Sequence, residues 1–203
     1  PWDFDNDMQG GFINKSIYIG EAGNSHTTHG THPVKDAFFK AFREEYKEHL
    51  YYLNNTLLTP DNIKRIGLSS YVTYARGRQA SVNKQCGNVK IPTQPVAKKL
   101  SGGDSVYSPA SMVVAAFEGG EANVDHTSTI WSIRAYDGSF TYPVFKSEST
   151  ENLTKLPVPF ELLKFGRTYY WQAVFIDSKG RKSLPTAEAS FRYGGHAKAT
   201  DLI

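Results

Sequence analysis

After Pro33 the apolar side chains Val34, Phe38, Phe42, Tyr46, Leu50 and Leu53 return every three or four residues with Lys, Arg and Glu between them. That period predicts an amphipathic helix burying this stripe. Pro33 suits its first turn and Asn54-Asn55 its stop. Thr59-Pro60-Asp61 is a second helix start, pairing a capping hydroxyl with a proline preset for the first turn and a carboxylate at the positive helix end. Residues 69–85 continue in helical period through Val72, Ala75, Gln79 and Val82 and end near Gly87, although Gly77 disfavours helix in their middle. Residues 10–32 hold five Gly with many Ser, Thr and Asn, and read as an extended loop carrying one short strand at Ile17-Tyr18-Ile19. From about residue 111 the period switches towards two. Runs at 111–117, 129–136, 140–145, 158–163, 168–177 and 187–193 predict strands, with turn chemistry at Gly119-Gly120, Asp137-Gly138, Phe165-Gly166 and Asp177-Ser178-Lys179-Gly180. Pro92, Pro95, Gly102 and Gly103 between the two patterns read as a connection. The expected layout is a helical part at 1–87, a linker at 88–103, a β-sandwich at 104–194 and a tail at 195–203.

Composition sharpens this picture in three places. With 203 residues, 39% hydrophobic and 21% charged, the chain is globular rather than disordered throughout. Its longest apolar runs, such as Met112–Phe117, fall far short of the ~18 residues needed to span a bilayer, so no membrane span is expected. The single Cys86 rules out an internal disulfide and reads as a small buried hydrophobe. As a nucleophile it would need a base, for which only His49 or His126 could arrive through folding. Net charge is +3, but residues 60–99 carry Lys64, Arg65, Arg76, Arg78, Lys84, Lys90, Lys98 and Lys99 against Asp61 alone. Such a field attracts phosphates or acidic glycans, or simply solvates a helix face. Stacking aromatics are too few there for a nucleic-acid surface, so no nucleic-acid partner is expected. The opening Pro1-Trp2-Asp3-Phe4-Asp5 is not a signal sequence, and the chain reads as a piece of a longer protein.

The segment Leu163-Lys164-Phe165-Gly166-Arg167-Thr168-Tyr169-Tyr170-Trp171-Gln172-Ala173-Val174-Phe175-Ile176-Asp177 resembles the end of a fibronectin type III domain. In that family a tyrosine closes the corner into the penultimate strand with a backbone hydrogen bond, a role open here to Tyr169 or Tyr170. Alternation places Tyr169, Trp171, Ala173 and Phe175 on one face and Tyr170, Gln172, Val174 and Ile176 on the other. Trp131 is the expected central core side chain.

Pro1-Trp2-Asp3-Phe4-Asp5-Asn6-Asp7 sets two or three carboxylates within reach of one cation, a hard oxygen set that favours Mg²⁺ or Ca²⁺. A hydrogen-bonded turn is the plainer reading of the same residues. The element resembles the "proline, tryptophan, aspartate, x, aspartate" stretch of the spore-coat protein H (CotH) kinase family, followed in the family's order by His32-Pro33, by Phe42-Arg43-Glu44-Glu45-Tyr46 and by Tyr74-Ala75-Arg76-Gly77-Arg78-Gln79. The resemblance covers 1–87. It implies an α+β multi-domain chain in which the helical C-terminal remnant of a protein-kinase-like fold precedes the all-β sandwich. It implies further that Asp3 and Asp5 sit where such a kinase holds its phosphate-bound metal. The glycine-rich loop, the lysine and the catalytic aspartate of phosphoryl transfer would precede this element, so the isolated chain is expected to be inactive, with no catalytic residue of its own. ATP would bind only if an upstream lobe or companion chain supplied them.

The resulting expectation is an extracellular or cell-surface structural or adhesive protein with protein partners or surface glycans. The alternatives are the C-terminal part of an ATP-dependent phosphotransferase and a sugar-binding module with exposed aromatics on one sandwich face. His26, His29 and His32, three apart, could ligate zinc or copper if their loop were ordered, but read more simply as solvated loop histidines. Asn14, Asn54 and Asn152 match the N-glycosylation pattern, which permits secretion without requiring it.

Overall fold

The computed structural model describes residues 13, 14, 16–18 and 33–196. The chain divides into two compact units, Pro1–Val89 and Lys90–Ile203.

In the first unit, helices α1 (Pro33–Ala41), α2 (Arg43–Thr56), α3 (Pro60–Arg65) and α4 (Val72–Cys86) follow one another, with a 3₁₀ turn at Ser69–Tyr71 before α4. The helix expected after Pro33 is broken at Phe42, whose φ/ψ of −128°/31° leaves the helical region. The break changes which face is buried. Phe39 packs edge-on against Tyr18 (5.4 Å between centroids) and onto Tyr46 (5.1 Å), while Val34, Phe38 and Phe42 of the expected stripe stay exposed. Thr59 caps α3 as its residue type predicts, accepting from the Asn62 backbone N–H at 3.2 Å. Gly77 costs α4 some intrinsic helicity but admits Ile13, whose side chain lies 3.2 Å from where a Cβ would be. Helices α2 and α4 are joined by amides: Asn54 Nδ2 donates to Gln79 O (3.1 Å) and Asn83 Oδ1 (2.9 Å), and Gln79 Nε2 returns a bond to Asn54 O (3.0 Å). Asn54 is therefore buried and occupied, which removes it as a glycan acceptor in this fold.

The second unit holds β1 (Ala97–Lys99), β2 (Ser105–Ser108), β3 (Ser111–Val114), β4 (His126–Ala135), β5 (Phe145–Ser149), β6 (Lys155–Pro157), β7 (Thr168–Asp177) and β8 (Ala189–His196). They form a three-stranded sheet β1-β3-β6 and a five-stranded sheet β2-β8-β7-β4-β5. All pairings are antiparallel except β2 with β8. The two sheets make a β-sandwich, in which β2 and β5 are the edges of the larger sheet. Inner-face side chains of both sheets, among them Met112, Val114 and Leu156 on one side and Trp131, Ile133, Trp171, Phe175 and Phe191 on the other, make one buried core. The alternation read from β7 is the observed one, with Tyr169, Trp171, Ala173 and Phe175 inward.

Three local expectations differ from the structure. Residues 88–103 are not a free connection: β1 lies within them, Pro92 and Pro95 are buried, and Thr93 N and Ala115 N bond across to Glu118 O and Val96 O. Strand β5 begins at Phe145 where 140–145 was expected, because Ser139–Tyr142 folds back on itself in a tight bridge. The apolar run 158–163 holds a 3₁₀ turn, Phe160–Leu162, and the strand precedes it at 155–157. A short apolar run satisfies either geometry, and the proline at 159 removes a ladder donor.

Both indoles that centre the core have polar partners. Trp131 Nε1 donates to Asn152 O (2.8 Å) and Trp171 Nε1 to Leu100 O (2.7 Å), while their rings lie 5.9 Å apart. The tyrosine corner is Tyr169: its hydroxyl accepts from Lys164 N at 2.8 Å. Tyr169→Phe keeps the buried ring and strands that N–H, so we expect a loss of about 1–3 kcal/mol in urea unfolding. A loss within error would show that the corner bond contributes nothing.

Candidate functional site

The helical unit presents a concave site. Ser16, Ile17, Lys35, Phe38, Phe39, Tyr46, Leu50 and Arg78 line a cavity of about 390 Å³. Its floor is built by long-range bonds: Ile17 N donates to Gln85 Oε1 (2.9 Å), and Tyr46 Oη donates to Ile17 O (2.9 Å). Arg78 Nη1 donates to Ile13 O (3.1 Å). Behind it Ile17, Val82 and Cys86 form the small buried core of the unit. The lining is apolar with two cations, Lys35 and Arg78, so the cleft suits an apolar group carrying negative charge.

The groups around it are poorly suited to nucleophilic chemistry. Burial pushes the Tyr46 phenol above its ordinary range, as do the neighbouring Cys86 and Tyr18, against the lowering effect of Arg78. Burial likewise raises the Cys86 thiol despite Lys47, so Cys86 stays a thiol and packs as a small hydrophobe. Arg78 belongs to the arginine-bearing helix read from the sequence, but nothing in the sequence marked Lys35 as its companion in this cleft. Their proximity depends on how α1 meets α4.

Asp3, Asp5, His26, His29 and His32 lie outside the described residues. Among the described residues no group of three or more His, Cys, Asp or Glu side chains is placed to hold a metal ion, and no helix is long and apolar enough to cross a membrane. The basic residues of 60–99 are divided between the two units. They are distributed over α3, α4, the following segment and β1, with Arg78 turned to Ile13 and Lys90 to Glu121 (3.6 Å).

In the sandwich, charge collects around Glu121, which receives Lys179 and Arg181 as well as Lys90. The hydrogen bond from Lys179 is the largest reason its carboxyl is held down at about 2. Asp177, fully buried beside it, pairs with Arg181. This is architecture: the bonds fix the turn after β7. Close by, the His126 ring stacks on Phe117 (4.7 Å, 13°) and meets Phe175 edge-on (4.5 Å). Its Nε2 lies 2.8 Å from Thr129 Oγ1, whose own proton goes to Leu153 O (2.6 Å), making the imidazole the donor. Burial lowers the His126 pKa below its ordinary 6.5, with a backbone bond at Ser128 acting in the opposite sense. The unfolded chain then binds the proton more tightly, so this contribution to stability is present above pH 6.5 and is lost as pH falls from there towards the folded-state value. We expect the melting temperature of the parent to drop more between neutral and mildly acid pH than that of His126→Phe. Equal drops would refute the assignment.

No protein-family model matches the sequence, and no curated protein matches it. Among solved structures, fibronectin domains of chicken contactin match at 14% identity over 51% of this chain and 33% of theirs, with a TM-score of 0.38. A fibronectin(III)-like module of Clostridium thermocellum CbhA matches at 7% identity over 51% of this chain and all of its own, TM-score 0.32. A titin module from human cardiac muscle matches at 17% identity, 49% of this chain and 86% of its own, TM-score 0.32. At such identities these likenesses bear on fold alone. The fibronectin type III-like reading of the second unit stands on its two-sheet sandwich and its tyrosine corner.

Proposed function

We propose that this chain is a structural or adhesive part of an extracellular or cell-surface protein, in which a helical CotH-kinase-like portion precedes a fibronectin type III-like module that spaces or binds. The observation that carries the reading is the self-contained sandwich. Its core is continuous, both buried indoles are satisfied, and its buried ion pair and hydroxyls are used to hold strands and turns, which is what a spacer or docking module requires. Protein partners or surface glycans are the expected ligands. Protease treatment of intact source cells, followed by fractionation, tests the placement. Release or degradation of the chain from the outside is the expected result, and recovery solely in the protected fraction would overturn it.

The second reading is the C-terminal part of an ATP-dependent phosphotransferase, completed upstream or by a companion chain. It is favoured by the acidic opening element, in which Asp3 and Asp5 would hold Mg²⁺ or Ca²⁺, and by the cationic cleft of Lys35 and Arg78. Such a metal would neutralise phosphate charge in the transfer step. Calorimetric titration of each cation into the parent and into the Asp3→Ala, Asp5→Ala double variant separates the readings. Heat of binding confined to the parent supports the metal site, and none in either removes it.

A further inference from the structure

One corner of the sandwich gathers positive charge and open aromatic rings. The segment Lys164–Arg167 is tied to β8 by Gly166 N to Tyr193 O (2.8 Å), Tyr193 N to Arg167 O (2.9 Å) and Arg192 Nε to Gly166 O (3.1 Å). These bonds bring Lys164, Arg167 and Arg192, all exposed, to one place. None of the three forms an ion pair among the described residues, and Asp104 and Glu161, the acidic residues of the adjoining segments, pair with none of them. Next to them Gly194 and Gly195 leave room for two rings. Tyr107 lies 2.9 Å from where a Gly194 Cβ would be, and Phe165 lies 3.3 Å from the Gly195 position. Both rings are largely open to solvent, at 50% and 76% exposure.

We propose that this corner binds an acidic polysaccharide, a uronate-bearing chain whose carboxylates meet Arg192, Arg167 and Lys164 while a sugar ring lies on Tyr107 or Phe165. Charge selects the class. Three cations with no ion pair among the described residues favour a polyanion, and guanidinium matches a carboxylate with paired N–H donors. The rings select within it, because a sugar offers one flat C–H face to an aromatic surface and its hydroxyls to water. Gly194 and Gly195 put no side chain between these rings and the β8 backbone, which leaves both ring faces of the corner free of competing side chains there. This inference does not rest on the kinase-like resemblance, and it goes beyond a general adhesive role by naming the surface and the ligand chemistry.

The test is affinity electrophoresis and calorimetry of the full chain with polygalacturonate, with dextran as the uncharged polymer and a single-stranded oligonucleotide as the other polyanion. The expected result is binding to polygalacturonate that weakens with added salt, with none to dextran. Combined Lys164→Ser, Arg167→Ser and Arg192→Ser substitution should weaken it by about tenfold or more, as loss of charge-assisted bonds requires. Tyr107→Ala and Phe165→Ala together should weaken it several-fold. Because Arg192 Nε also ties Gly166 O, a Lys164→Ser, Arg167→Ser pair that keeps this bond should weaken binding as well, with an unchanged melting temperature as the folding control. Absence of binding by the parent, charge or ring variants that bind as the parent does, or oligonucleotide binding as tight as that of polygalacturonate would each overturn the proposal.

Discussion

Trp131→Ala is expected to cost the sandwich about 3–5 kcal/mol, the range for truncating a buried large aromatic. Trp131 is fully buried between the sheets, packs on Trp171 at 5.9 Å and donates its indole N–H to Asn152 O. Alanine therefore leaves a cavity at the centre of the core and releases the loop before β6. Since small domains are held by roughly 5–15 kcal/mol, that is a large share of the total. Urea unfolding followed by circular dichroism should show a markedly lower midpoint, with the near-ultraviolet contribution of the neighbouring Trp171 changed. Trp131→Phe keeps much of the volume and strands only the carbonyl, so it should fall between parent and alanine. An alanine variant within about 1 kcal/mol of the parent, well below any core truncation of this kind, would show that the two sheets do not pack through this side chain.

The second large effect lies at the end of β7. Asp177 is fully buried. Its Oδ1 accepts from the backbone N–H groups of Lys179 and Arg181, both at 2.9 Å, and its Oδ2 accepts from Arg181 Nε at 2.8 Å. Asp177→Ala removes the turn's acceptor and leaves the largely buried Arg181 guanidinium beside Glu121, at 3.0 Å. Breaking a buried pair from one side typically costs about 3–5 kcal/mol, and the retained Glu121 places this one near the lower end. Asp177→Asn keeps an acceptor for the turn but not the charge, and should lose less. The pair is screened by protein, so the difference between parent and alanine variant should persist at high salt. A loss that vanishes in salt would mark the interaction as a surface one.

The two predictions draw on features of unequal legibility. The two faces of β7 followed from alternation, because successive side chains on a strand must point to opposite sides, and Trp131 as the central core side chain from the fibronectin type III resemblance. The turn at 177–180 was legible as well, since an aspartate followed by glycine three residues on carries its own backbone acceptor and its own left-handed residue; Gly180 indeed has φ 75°. That Asp177 is also the partner of Arg181, and Arg181 that of Glu121, was not legible. Glu121 lies far away in the chain and arrives through the packing of a long loop.

The helical unit shows the same division. Thr59 was a readable cap because its bond reaches only three residues. The stripe Val34, Phe38 and Phe42 was a misleading signal. A 3.6-residue period tells which residues share a face but not whether the helix continues through Phe42 or which face meets the rest of the unit, and here Phe39 is buried in their place. The cleft of Lys35 and Arg78 depended on that same packing, as did the burial of Asn54 behind a sequon.

By itself the sequence determined the local grammar of this protein: helices then strands, the turns between them, the division of β7 into two faces, and a corner that a tyrosine would close. Only the tertiary structure decided that Tyr169 closes it, that Ala97–Lys99 is a strand, and that Lys164, Arg167, Arg192, Tyr107 and Phe165 share one corner. The reason is range. Caps, turns and alternation are settled by bonds spanning a few residues, whereas partners such as Trp171 and Leu100, 71 residues apart, are chosen by the whole packed chain.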